Sequence, residues 1–193
     1  MRTHFVAIIS SAIVSFALSG HGQQNQPARQ EAFTPEQQKY QQWEAHYRQL
    51  QAQGKQIFDV EMAREKAGDC PNANTTADFD NCYGKHLNTS ETNLKRFEAT
   101  VHDLLALAPK MPGEEPTKPA SGLEGPSVIA AQDTAEFESV EQLWRQYREL
   151  ACSATHHQFD GGSGGPSFEM QCRLMLARDH MRELKMIYGE SFL

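Results

Sequence analysis

The sequence predicts an all-α fold: disulfide-stapled helical hairpins forming a small bundle, with an extra N-terminal helix. Two observations point there. Four segments repeat their apolar residues with a helical period, and none sustains the alternation that strands need. Cys70, Cys82, Cys152 and Cys172 fall near the ends of those segments, where a staple closes a hairpin.

Residues 1–22 read as an export signal. Arg2 supplies the positive start, and Phe5 to Leu18 is an uncharged, mostly apolar run of 14 residues. Ala17 and Ser19, or Gly20 and Gly22, are small residues suited to a cleavage site. As a helix, such a run rises only about 21 Å, short of the roughly 30 Å hydrocarbon core, so a cleaved signal is expected rather than an anchor. No cysteine stands near the cleavage site to accept a lipid. The mature protein is therefore expected to be soluble, periplasmic or secreted, and without stable membrane insertion. Residues 23–33 are polar and read as a flexible leader.

The N-terminal helix is placed at 34–66. Thr34 can cap it, Pro35 suits its first position, and Gln37 can reach back to close a capping box. Tyr40, Trp43, Tyr47, Leu50 and Ile57 form its stripe, and Gly54 occupies the same seam as a kink or close crossing. So much aromatic surface should pack on the rest of the chain or pair with another copy as a homodimer. Gly68 to Thr75 is a turn. The second helix carries Phe79, Tyr83, Leu87, Leu94, Phe97, Val101 and Leu104, with Ser90 in its seam.

Residues 109–127 hold five of the nine prolines and three glycines, a density that reads as an exposed linker. The third helix is expected from about Asp133 or Thr134, with Phe137, Val140, Trp144, Tyr147 and Ala151 on one stripe. A glycine-rich loop, Gly161-Gly162-Ser163-Gly164-Gly165, then leads to a fourth helix. Ser167 is its expected cap, and Met170, Leu174, Ala177, Met181, Leu184 and Tyr188 form its apolar stripe.

Four thiols in an exported chain read as two disulfides. A continuous helix would put Cys70 and Cys82 about 18 Å apart, far beyond disulfide reach, so the chain must reverse between them. The same holds for Cys152 and Cys172. Three connectivities remain open; the local pairing 70–82 and 152–172, which staples each hairpin at its turn, is the expected one. Spacings of 12 and 20 lack the short cysteine pairs of structural zinc sites, and neither a metal nor another cofactor is expected.

The formal charge is −7, and removing the signal takes away Arg2 and no acid, leaving −8. Such a chain has no electrostatic reason to bind nucleic acid and is steered towards cationic partners. No nucleophile-elbow, zinc-protease, P-loop or dinucleotide motif is present, so a non-enzymatic role is expected. His156-His157 with Asp160 read as solvated loop residues rather than a metal site. Arg145, Arg148, Arg178 and Arg182 are expected in helix-surface ion pairs with Glu141, Glu149 and Glu183. Trp144 and Tyr147 are expected in the core.

Residues 142–152 and 161–184 resemble the LprI-type lysozyme inhibitor family of exported bacterial proteins. The resemblance rests on Trp144, Tyr147, Arg148, Glu149, Cys152, Gly161, Gly162, Ser163, Cys172, Leu176, Glu183 and Leu184, together with Asp69-Cys70, Thr75 or Thr76, Cys82 and Leu94 in the first half. It covers about 67–188, within a helical domain placed at 67–190 and interrupted by the linker. Lys95, Glu98, Ala177 and His180 depart from the family pattern. The resemblance implies an exported binding protein that inhibits lysozyme by protein–protein contact. Its partner would be a cationic lysozyme, with the 161–165 loop offering backbone N–H groups and Ser163 to the catalytic carboxylates. The alternative is a periplasmic interaction or envelope-stress module with another partner.

Overall fold

A computed structural model describes residues 33–107, 126–159 and 161–189, with side chains in the third helix described from Gln132 onward. The export signal, most of the leader, the linker as far as Gly125 and Asp160 lie outside the described residues. Four helices make up the structure: α1 (Pro35–Lys66), α2 (Thr76–Leu107), α3 (Pro126–His157) and α4 (Gly165–Ile187), with no strand among the described residues. α2 and α4 pack on each other at the centre. α1 lies chiefly against α2, and α3 lies against both central helices.

Helix ends follow local chemistry. At α1 the Thr34 hydroxyl accepts from the Gln37 N–H at 3.2 Å, and the Gln37 side chain accepts from the Thr34 N–H at 2.8 Å, closing the expected capping box. Asp78 does the equivalent work at α2, accepting from the Thr75 N–H at 3.0 Å while its own N–H donates to the Thr75 hydroxyl at 3.2 Å. α3 begins at Pro126, earlier than the expected 133–134. Pro126 suits the first helical turn, where no intrahelical N–H is needed, and the Ala-rich stretch behind it favours helix. α4 begins at Gly165, and Ser167 is not its cap. Ser167 sits inside the first turn and donates its hydroxyl to Asp80 on α2, a link between helices.

The core draws on all four helices: Ile57 from α1; Leu94, Phe97 and Val101 from α2; Phe137 from α3; and Ala177, Met181 and Leu184 from α4. Each large side chain buried there contributes about 1.5–3 kcal/mol relative to an exposed one. α1 packs on the body, as its stripe required: Leu50, Gly54, Ile57 and Glu61 are buried, and Trp43 donates its indole N–H to the Leu107 carbonyl at the end of α2 at 3.1 Å. Gly54 is buried in a helix that runs unbroken, so it marks no break.

Both disulfides are local. Cys70–Cys82 and Cys152–Cys172 bring their Cα atoms to 5.7 and 5.5 Å, and no free cysteine remains. The first reversal uses left-handed backbone at Gly68 (φ 84°) and at Cys70 itself (φ 55°).

The third helix departs from the expected stripe. It buries Phe137, Glu141, Arg148 and Cys152, half-buries Trp144, and leaves Val140 and Tyr147 exposed. The buried register is helical, but two of its positions carry charged residues that pair across the bundle.

Candidate functional site

The 161–165 loop is held from both sides. The Cys152–Cys172 bridge ties its flanking helices, and Phe159 before it stacks on Phe168 after it with ring centroids 4.3 Å apart. Gly161 adopts a φ of 81°, which favours glycine. Gly162 and Gly165 have packing reasons instead: an added Cβ would meet the Phe159 carbonyl oxygen at 2.9 Å and the His156 ring at 3.2 Å respectively. Their N–H groups are engaged within the loop, with Phe159 at 2.7 Å and Gly162 at 3.2 Å. Gly161, Gly162 and Ser163 are exposed, Gly164 half-buried and Gly165 buried. Ser163 is thus the one side chain displayed at the tip of the loop.

An apolar surface adjoins this tip. Phe79 and Tyr83 of α2, Gly164, and Phe168 and Gln171 of α4 line a cleft of about 180 Å³. Phe168 and Gln171 also border a wider groove of about 500 Å³ that continues past Met175 to Arg178 and Glu65. His156 is half-buried, and its Nδ1 lies 2.8 Å from the Glu169 carboxylate.

Two buried polar centres lie inside the bundle. In the first, Glu61 of α1 accepts from Arg178 Nε at 2.9 Å, Asn93 Nδ2 at 2.7 Å, Arg64 Nη1 at 2.6 Å and the Ser90 hydroxyl. Arg178 also donates to both oxygens of Asp69, at 2.5 and 3.0 Å, and His86 Nδ1 lies 2.7 Å from Asp69. Burial alone would push both carboxyls up. At Glu61, hydrogen bonds from Ser90, Asn93 and Arg178 and the Arg64 charge outweigh it and hold the group below its ordinary value. Hydrogen bonding and charge from Arg178, then His86, do the same at Asp69.

The second centre joins Glu98 of α2, Glu141 of α3 and His180 of α4. His180 Nε2 lies 2.7 Å from Glu141, its Nδ1 lies 3.2 Å from Glu183, and its ring stacks on Trp144 at 3.9 Å. Arg145 donates to Glu98 at 2.9 Å. Burial, reinforced by the nearby Glu141 carboxylate and only partly offset by Arg145, pushes the Glu98 carboxyl up to about 7.

These centres correct the expectation of surface ion pairs. Arg148 and Arg178 are buried; Arg148 donates to Glu91 at 2.5 Å and to the Arg173 carbonyl at 2.6 Å, with Trp144 5.2 Å from its guanidinium. Arg182 reaches Glu65 of α1, and only Arg145 keeps an expected partner, Glu141, at 3.6 Å. Of the motif residues, Leu184 is buried, Leu176 and Trp144 are half-buried, and Tyr147 is exposed.

A family model described as lysozyme inhibitor LprI matches residues 67–184. The chain belongs to the LprI lysozyme inhibitor family. The match spans both disulfides, the second, third and fourth helices and the glycine loop. No curated protein and no solved structure matches the chain. The family is one of inhibitors, which agrees with a non-enzymatic role. α1 lies outside the LprI match, yet supplies Glu61 to the first polar centre. Among the described residues no helix is long and apolar enough to cross a membrane.

Glu61, Glu98 and His180 were not anticipated as centres of the interior. The available signal was positional. Glu61 continues the 50–54–57 register of α1, and Glu141 the 137–141–144–148 register of α3, so each falls where an apolar residue belongs.

Proposed function

We propose that this chain is exported and inhibits a lysozyme by direct protein contact. The LprI match over 67–184 carries the proposal. The contact surface would be the loop tip at Gly161, Gly162 and Ser163, with the adjoining Phe79–Tyr83–Phe168 cleft as its apolar flank. A stapled loop binds with little ordering cost, because the Cys152–Cys172 bridge and the Phe159–Phe168 stack already restrict it. The formal charge of −7, which becomes −8 once the signal and its Arg2 are removed, speeds encounter with a cationic enzyme and suppresses non-specific contact with anionic polymers.

The test is lysis of a peptidoglycan substrate by a cationic lysozyme in the presence of the oxidised, signal-free protein. Inhibition is expected at micromolar protein and low salt, weakening as salt shortens the screening length below about 10 Å. Ser163→Ala should weaken inhibition roughly 2- to 13-fold, the equivalent of one lost hydrogen bond, with an unchanged melting temperature. Full lysozyme activity at low salt would overturn the reading.

One observation favours a second reading. Val140, Leu143, Tyr147 and Leu150 stand in a row on the outer face of α3, 46, 66, 59 and 73 % exposed. A face of this kind suits a docked protein partner, as a periplasmic interaction or envelope-stress module would have. Leu143→Lys would then abolish capture of that partner and leave lysozyme inhibition unchanged.

A further inference from the structure

We propose that Glu98, Glu141 and His180, brought together where α2, α3 and α4 meet, form a binding site for one divalent cation of the zinc class. One ligand atom from each lies within 4.8 Å of the other two, and the three residues are only 8, 2 and 3 % exposed. Tetrahedral zinc holds nitrogen and oxygen ligands about 2.0–2.2 Å from the metal, so roughly 3.4 Å from one another. Modest side-chain rotations bring these three to that spacing.

Three features separate this centre from an ordinary acidic cluster. Glu141 Oε2 is buried with no N–H donor in hydrogen-bond reach; this carboxylate faces the Glu98 carboxyl, and Arg145 Nη2 stands 3.6 Å away. An orphaned carboxylate oxygen in the interior is costly, and a bound cation satisfies it directly. His180 has the support a ligand needs. Its Nε2 points at the cluster, its Nδ1 faces the Glu183 carboxylate at 3.2 Å, and the Trp144 ring fixes its plane. A carboxylate behind the far ring nitrogen orients a metal-bound histidine and strengthens it as a donor. Access is also provided: a groove of about 320 Å³ passing His102 and Phe137 opens onto Glu98, Glu141 and Arg145. Arg145 also lines this groove, with a largely exposed side chain that can swing outward.

The donor set chooses the metal class. One imidazole with two carboxylates suits zinc and its transition-metal neighbours, whereas magnesium and calcium favour oxygen-only shells of six or more ligands. A second group of potential donors among the described residues, Cys70, Cys82 and His86, supplies no thiolate because its cysteines are bonded to each other.

The experiment uses the oxidised, signal-free chain stripped with chelator. Calorimetric titration with Zn²⁺ should show one saturable equivalent at micromolar or tighter affinity, and the melting temperature should rise with zinc concentration. Co²⁺ should give a visible d–d band, and excess Mg²⁺ should not compete. Glu98→Gln preserves shape and should remove the saturable equivalent. Glu183→Gln should weaken affinity about 10- to 100-fold through the histidine it orients, and His102→Ala should leave it unchanged. His180→Gln is informative if its helical circular dichroism matches wild type; if it does not fold, Glu98→Gln and the cobalt band decide. Absence of saturable zinc binding would overturn the proposal, leaving a centre neutralised by Arg145 and a shared proton. Binding that survives Glu98→Gln, or that is lost in His102→Ala, would overturn it in favour of surface chelation. Equal competition by Mg²⁺ would also overturn it.

Discussion

Replacing Arg178 with methionine tests whether the interior is held by its charges. Arg178 is 2 % exposed and joins three elements, donating one hydrogen bond to Glu61 of α1 and two to Asp69 in the following turn from its place on α4. Methionine keeps much of the apolar stem and removes the guanidinium. Glu61, 0 % exposed, would keep its bonds from Ser90, Asn93 and Arg64, while Asp69 would keep only His86 and partial access to water. Removing one partner of a buried pair typically costs about 3–5 kcal/mol, because the remaining charge stays desolvated. The surviving Arg64 contact places the expected loss at the lower end, about 3 kcal/mol, or a fall of roughly 6–12 °C in melting temperature for a chain of this size. Urea unfolding followed by far-ultraviolet circular dichroism, without reductant, measures it. The loss should persist at high salt, since a buried pair is poorly screened. Adding Glu61→Gln should then cost less than it does in wild type, with a coupling of about 0.5–3 kcal/mol. A loss below about 1 kcal/mol, or one that salt erases, is the behaviour of a surface ion pair and would refute the reasoning.

Three further predictions follow from the same contacts. Replacing Cys152 and Cys172 together by alanine should lower stability by about 3 kcal/mol through the entropy of a loop of 20 residues, and an unchanged urea midpoint would show that staple to be dispensable. Glu61 and Asp69 both titrate below their ordinary values in the fold, so the stability they contribute is fully present above the unfolded range near pH 4 and is lost as pH falls through the lower folded values. With Arg64, Arg178, His86, Ser90 and Asn93 around them, an acid titration of unfolding free energy should decline below about pH 4 and decline less in Glu61→Gln. Deleting residues 23–66 should expose the core surface under Ile57 and strand Arg178 beside Asp69 alone, giving a broadened melt and dye-binding apolar surface; an unchanged cooperative melt would make α1 a detachable spacer.

The sequence by itself determined the all-α class, the four helices and both hairpin reversals; it favoured the local disulfide pairing among three open connectivities, and the structure decided it. What it determined follows from signals carried by neighbouring residues: helical periodicity, Thr34 and Gln37 at a helix start, and turn-rich stretches between cysteines too far apart on one helix to bond. It also carried the family pattern, since the cysteine pairs, Trp144 and the glycine loop lie in order along the chain. Only the tertiary structure decided which face of α3 is buried. Val140 and Tyr147 looked like core and Glu141 and Arg148 like surface, and their true places are reversed. The reason is physical. A charged residue can occupy an interior position only when partners distant in sequence surround it, and Glu91, Arg173 and His180 reach α3 from other helices. Likewise, Gly162 and Gly165 have a packing reason the sequence did not show: an added Cβ would meet the Phe159 carbonyl oxygen and the His156 ring. Periodicity reports how apolar a position is, whereas burial of a charge depends on which helices meet there, and that is settled only when the bundle closes.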